Sequence, residues 1–319
     1  MMELLIESGG DLFWPEVEEG VTWQTDRQGT PGSLTFSIPK ENIGRFEEGA
    51  HVALRVDGKG IFYGFVFEKK SDASSGLVRV TAYDQLRYFK NKDTYVYENK
   101  TASELIGMLA ADFNLQAGTV EDTGFVIASR VEDNTTLFDI VQNALDLTLT
   151  NTGQMYVLFD DYGKISLKNI ASMALDFLVE KGSGEDYSYT SSIDSNTYNK
   201  IKLVYENGET GMRDIYIAQH GENMNKWGVL QYYDTIQEGE NGAAKANALL
   251  SLYNKPTRNL TFSNLFGDVN VRAGSLIVVK MDLGDTQLEN LMLVEKCRHV
   301  FKKDVHFMNL TVRGGEFVA

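Results

Sequence analysis

Carboxylates set close together are the first places to look for chemistry in this 319-residue chain. A glycosidase needs two of them roughly 5 to 9 Å apart across a cleft, one to donate a proton and one to accept or attack. The densest acidic groups are Asp160-Asp161 and the run Glu16, Glu18 and Glu19. Asp160-Asp161-Tyr162-Gly163 has the composition of a hairpin turn, where an Asp side chain caps its own backbone. The three glutamates flank a strand. In a chain with 45 acidic residues, both groups are expected on a solvated or partner-facing surface. His299 and His306 come next, because a turn at Lys302-Lys303 pairs residues whose numbers sum to 605. That register sets the two imidazoles face to face and Cys297 opposite Met308. Such donors could compose a soft metal site, but Leu293, Phe301, Leu310 and Val312 share the face, so Cys297 and Met308 read as core. His51 and His220 have no companions nearby in the sequence.

Other chemistries lack their signatures. Gly58-Lys59 and Gly163-Lys164 lack the upstream glycine spacing and the hydroxyl of a phosphate-cradling loop. There is no G-x-S-x-G elbow and no H-E-x-x-H pair. Gly182-Ser183-Gly184 precedes a strand instead of opening a helix, so it reads as a linker and not as part of a dinucleotide fingerprint. Cys297 is the single cysteine, which excludes an intrachain disulfide and a thiolate zinc cluster. With 30 basic against 45 acidic residues the net charge is −15, which excludes a duplex-DNA binder working by phosphate neutralisation and denies single-stranded nucleic acid its electrostatic funnel. The N-terminus has no basic region before its short apolar run, and no stretch approaches the ~18 apolar residues of a membrane helix. No catalytic, cofactor-binding or metal residue is therefore assigned, and the chain is expected not to be an enzyme.

The elements around these residues are mostly strands. Ser33–Ile38 alternates polar and apolar residues and ends at Pro39. The run at 51–56 is followed by Asp57-Gly58, which supplies the positive φ of a tight turn, so it pairs antiparallel with 61–70. A third strand spans Leu77 to Tyr83. The period then changes: Thr101 and Glu104 form a capping box that opens a helix, with Leu105, Ile106, Leu109, Ala110 and Phe113 on one stripe. A second helix begins near Asn134 or Thr135, and Gln154–Phe159 pairs with Lys164–Lys168 in a hairpin. After the Gly-Ser-Gly linker, strands are expected at Asn199–Tyr205 and Arg213–Gln219, joined across Glu206-Asn207-Gly208. A further strand is expected at Trp227–Tyr233, where Tyr232 and Tyr233 must face opposite sides. A helix at 242–253 ends before Pro256, and the rest is strand. The boundaries are 1–92, a small barrel or sandwich; 93–180, an α+β unit; and 181–319, mainly β again.

Aligned by hand, the two β segments repeat. Gly49, Val52, Leu54 and Val56 fall on Gly274, Ile277, Val279 and Met281 at an offset of 225. Phe67-Glu68-Lys69 falls on Val294-Glu295-Lys296 at 227, and Val80-Thr81-Ala82 on Leu310-Thr311-Val312 at 230. Two small insertions account for the drift. The chain is expected to carry two copies of one barrel with an insert between them.

The runs FYGFVFEKKSD, VTAYDQLRYFKNKDTYVYENKTASELI, TLFDIVQNALDLTLTNTGQMYVLFDDYGKISLKNI, YNKIKLVYENGETGMRDIYIAQ, KWGVLQYY and GDVNVRAGSLIVV closely resemble the baseplate hub proteins of contractile phage tails, and of the defective-prophage and R-type bacteriocin particles derived from them. The resemblance runs from Leu4 to Gly315. It implies an α+β, mainly β fold of two tail-tube-like barrels with an intervening α+β domain. It implies a structural, non-enzymatic homotrimer joining a hexameric tail tube, or its initiator, to a trimeric central spike among other baseplate proteins. The implied location is a phage-like particle assembled in the bacterial cytoplasm and released by lysis. The alternatives are a peptidoglycan hydrolase and a carbohydrate-binding tail module, which would need a reactive carboxylate pair and an exposed aromatic row respectively.

Overall fold

The computed structural model describes residues 1–194, 196–206, 211–236, 241–284, 287–303 and 305–314. It divides into two units: residues 1–149, 154–188 and 260–319 form one, and residues 150–153 with 189–259 form the other.

The first unit is organised on a long sheet. Its strands are β1 (Met2–Ser8), β2 (Asp11–Phe13), β3 (Glu18–Asp26), β4 (Ser33–Pro39), β5 (His51–Val56), β6 (Lys59–Ser71) and β7 (Leu77–Tyr83). The insert follows, with β8 (Lys92–Thr101), α1 (Ala102–Asp112), β9 (Ala117–Val120), β10 (Val126–Thr136), α2 (Leu137–Thr152), β11 (Tyr156–Asp160) and β12 (Ile165–Asn169). The chain then returns to the sheet through β13 (Ala174–Glu180) and β14 (Asp186–Ser192). In the second unit lie β15 (Lys200–Glu206), β16 (Arg213–Gln219), α3 (Gly221–Trp227), β17 (Gln231–Ile236) and α4 (Gly242–Tyr253). Last come β18 (Thr257–Phe266), β19 (Leu276–Asp282), β20 (Gln287–Lys302) and β21 (Val305–Gly314).

The sheet order is β14-β18-β21-β20-β3-β4-β7-β6-β5-β1-β2, with β19 also on β20 and β13 on β19. The fold is thus mainly β. Among the described residues its strands form large, mostly antiparallel sheets and no closed barrel.

Two stretches of this order are alike: β3-β4-β7-β6-β5 and β14-β18-β21-β20-β19. The likeness extends to single bonds. Gly49 N–H donates to Val66 O and Val66 N–H to Ala50 O, at 2.8 and 2.9 Å; Gly274, Val294 and Ser275 repeat both bonds at the same distances. Both glycines hold a positive φ, +90° and +94°, which a side chain resists. Each long strand then carries an irregularity at the same place, Phe67 between Val66 and Glu68, and Glu295 between Val294 and Lys296. Those ladders match β6 to β20 at an offset of 228, one residue from the 227 read by hand, because the hand alignment matched Glu-Lys pairs that lie one step out of phase with the bulge. A further identity lies in Leu34-Thr35-Phe36-Ser37 and Leu260-Thr261-Phe262-Ser263, on β4 and β18. Their Leu and Phe side chains are buried in both copies.

The copies differ in their connections. Six residues, 27–32, link β3 to β4, whereas the second unit occupies the stretch of chain between β14 and β18. In that unit the sheet order is β16-β15-β17, with Ile201, Leu203, Ala218 and Ile236 packed with Ala246 and Leu249 of α4. The expected antiparallel pair of β15 and β16 is present, though 207 and 208 of its turn lie outside the described residues. The strand expected at Trp227–Tyr233 is corrected: Gly221–Trp227 is helical, His220 Nδ1 accepts from Asn223 N–H, and the strand starts only at Gln231. The helix that His220 caps runs through Trp227, so this aromatic lies outside the strand.

In the insert, the capping box of Thr101 and Glu104 forms as read. The second helix starts later than expected, at Leu137, where Thr136 Oγ1 accepts from Asp139 N–H at 3.1 Å. The helices bury Leu105, Ile106, Leu109, Leu137 and Ile140 in one core with Ile165 and Leu167. Val157, Phe159 and Ile170 pack with Leu276 and Leu293, so the insert is anchored on the second strand set.

Candidate functional site

Three buried polar side chains of the first unit, Asp84, Gln85 and Asp160, gather with Arg272 at one joint, and turn chemistry puts them there. Asp84 follows β7 and caps the short helical turn 85–90, its Oδ1 accepting from Leu86 N–H at 3.0 Å and its Oδ2 from Gly32 N–H at 2.8 Å. Asp160 ends β11 and accepts from Gly163 N–H at 2.6 Å, closing the turn that its sequence promised. Gln85 bridges the two: its Nε2 donates to Gly163 O and, at 3.5 Å, to Asp160 Oδ2, while its Oε1 accepts from Gln116 N–H at 2.8 Å. Arg272, just before β19, donates from Nη2 to Asp160 O at 3.0 Å, and its guanidinium lies 4.2 Å over the Phe159 ring.

Burial dominates the electrostatics. Asp84, Gln85 and Asp160 are each 5% exposed. Loss of water pushes the Asp160 carboxyl up to about 6, against the opposing pull of Gly163 N–H and Arg272. The same burial, reinforced by the Asp160 charge, holds Asp84 well above the ordinary carboxylate range. Two raised carboxyls beside a cation are what an acid/base pair looks like. Here, however, all four of their oxygens accept, three from backbone N–H groups and one from the Gln85 amide, and neither residue lines the groove formed by Arg27, Gln28, Phe138, Gln142, Tyr156 and Leu158. The arrangement ties the loop at Gly32, the insert and the approach to β19 into one piece.

The sequence candidates are dispersed. Asp161, Glu16, Glu18 and Glu19 are exposed as expected, but Asp160 is not; the expectation of a solvated surface fails there because the Gln85 side chain and Gly163 enclose it. Nothing in the sequence distinguishes Asp84 or Arg272 from surface charges, since their neighbours are supplied by turns far away in the chain.

His299 and His306 do meet, though in a different register. Phe301 pairs with His306 and His299 with Met308, so the numbers sum to 607, and Cys297 faces Leu310. The turn sits one residue later than read because Lys303, at φ +50°, takes the left-handed position that closes it. A diagonal contact remains: His306 Nε2 donates to His299 Nδ1 at 2.9 Å, and His299 Nε2 donates to Val271 O at 2.8 Å. Both ring nitrogens of His299 are thereby engaged. Trp23 stacks on the ring with centroids 4.8 Å apart, and burial holds the imidazole neutral, lowered to about 3. Burial likewise pushes the Cys297 thiol up. His51 has Tyr63 Oη 3.0 Å from its Nδ1, and Tyr233, not Tyr232, is the exposed member of its pair.

The relatives of the chain are consistent with this frame. It is 29% identical to the protein YqbQ of Bacillus subtilis (strain 168), over 98% of this chain and 96% of that one. It is 28% identical to the phage-like element PBSX protein XkdQ of the same organism, over 98% and 97%. In structure it is similar to the 43 kDa tail protein of prophage MuSo2 from Shewanella oneidensis, with a TM-score of 0.71, 10% identity and coverage of 99% and 100%. The resemblance read from the sequence therefore holds for the family and for the mainly β character of the fold. Since the profile of the YQBQ-like family matches residues 21–313, the chain belongs to that family.

Proposed function

We propose that the chain is a structural component of a phage-like tail baseplate: a homotrimeric hub between a sixfold tail tube and a threefold spike, carried on the particle and lacking enzymatic activity. The observation that carries this reading is the repeated strand set with its matched glycine and bulge. Closed assemblies of identical chains must match the rotational order of what they cap, and a threefold body cannot meet a sixfold ring subunit for subunit. A chain with two like strand sets meets both, because three chains present six similar edges while keeping threefold symmetry. The segments 1–92 and 181–319 then carry two tube-like halves that close with other copies. The insert, 93–180, lies outside the ring. Fold similarity to a prophage tail protein and relationship to a PBSX protein support this placement.

The raised carboxyls at Asp84 and Asp160 do not favour a hydrolase, because their oxygens are occupied by the fold itself. Purified particles from cells producing the chain should contain it, and deletion of its reading frame should leave particles without joined tubes and spikes. Intact tails after deletion would refute the proposal. Cell-wall turbidity should not change when the purified chain is added.

A further inference from the structure

The two strand sets are joined edge to edge in one place, and that joint has an empty counterpart. In the second set, β20 runs past its partner β19, and its second half, Lys296–Phe301, pairs antiparallel with Val21–Asp26 of β3. In the first set β6 likewise runs past β5: its pairing with that strand ends at His51–Phe65 and the two bonds at Val66. Its second half, Glu68–Ser71, pairs with β7 on one side and with no strand on the other among the described residues. At one end of the sheet order stands β14, which among the described residues neighbours only β18. That strand is the counterpart of β3, since Tyr187-Ser188-Tyr189 repeats the pattern of Val21-Thr22-Trp23 at an offset of 166, and Glu185 N–H donates to Ser263 O on the counterpart of β4. Asp186, Tyr187 and Ser188 are all exposed.

We infer that the second half of β6 in one copy of this chain pairs antiparallel with β14 of a second copy, repeating between chains the joint that β20 and β3 make within one. The occupant is a second copy because the chain itself shows which edge fits that one: the counterpart of β3, to which, among the described residues, no other strand at an end of the sheet order is related. The surface is heterologous, head to tail, so it closes only as a ring. Exposed edges invite such pairing, and the exposed Lys70 on β6 is a charge that keeps it from pairing at random. This inference rests on the homo-oligomeric reading above and adds the contact.

Equivalent positions give the test. Val300 pairs with Thr22 within the chain, and their counterparts are Asp72 and Ser188, at offsets of 228 and 166. The double variant Asp72→Cys/Ser188→Cys, treated with a short bismaleimide, should give covalent multimers on a denaturing gel. Either single variant should not, which also controls for the buried Cys297. The variant Thr22→Cys/Val300→Cys should close within one chain. A chain that is oligomeric by light scattering but gives no interchain product overturns the edge pairing and leaves the oligomer standing. A chain that is monomeric at every concentration overturns both.

Discussion

Residues at the same ladder position of β6 and β20 have opposite fates. Cys297 and His299 are fully buried, His299 under Trp23 of the adjoining β3, whereas their counterparts Lys69 and Ser71 are half-buried and exposed. The Lys69 ammonium folds onto the neighbouring segment instead, donating to Ile43 O and Phe46 O at 3.3 and 2.8 Å. The strands bend at the same bulge and bond to the same neighbours, so the difference comes from what covers the edge. An edge covered by a strand takes a neutral imidazole and a thiol inside; one without a paired strand keeps polar side chains, a lysine tied to the adjoining loop and an exposed serine.

The joint at Asp84 and Asp160 offers the most forceful way to break the frame that both strand sets share. Arg272→Met should cost about 3 kcal/mol in urea denaturation at pH 7, since it leaves buried carboxylates without a cation. A carboxyl raised in the fold contributes stability below its unfolded value near 4 and loses it as pH rises through about 6. The cost should therefore shrink at pH 5, and an equal loss at both values would contradict this account. The two glycines sharpen the equivalence. Alanine at Gly49 meets nothing within 4 Å and bears only the cost of its φ, about 1 kcal/mol, whereas at Gly274 its Cβ would lie 2.7 Å from Val157 Cγ1, for about 2 to 3 kcal/mol. Equal losses would mean that the insert does not press on the second set as described.

Smaller effects separate the covered edge from the bare one. The His299 imidazole, lowered by burial, contributes stability above its unfolded value near 6.5 that is lost as pH falls toward 3. Replacing it, as in His299→Gln, should cost about 1 to 2 kcal/mol at pH 7 and flatten the decline on acidification; parallel stability curves would deny the imidazole that role. Smallest is the ion pair Lys296–Asp26, 2.8 Å long with the lysine 64% exposed. Lys296→Ala should lose less than ~1 kcal/mol, because the β20–β3 joint is held by its ladder and core. A larger loss would make that joint an electrostatic one.

Local patterns carried most of the strands, since alternation and turn residues act within a few positions. Asp57-Gly58, the capping box at Thr101 and the turn at Asp160 all formed as their residues dictate. What stayed hidden depended on distant partners. Asp84 and Arg272 become a joint only when the 27–32 loop and the insert meet, and the burial of Asp160 follows from Gln85, 75 positions away. The hairpin at Lys303 slipped by one residue because lysine carries no turn signal of its own. The Leu-Thr-Phe-Ser repeat is present in the sequence, but the long second connection separates its strand from the rest of the copy, so the repeat is recognisable only beside the sheet order.

The central claim is that two like strand sets in one chain let three copies stand where six are matched. Counting this chain against the tube protein in purified particles, by mass spectrometry with labelled reference peptides, tests it most directly. The account predicts three copies per particle; six copies, two copies or none would contradict it.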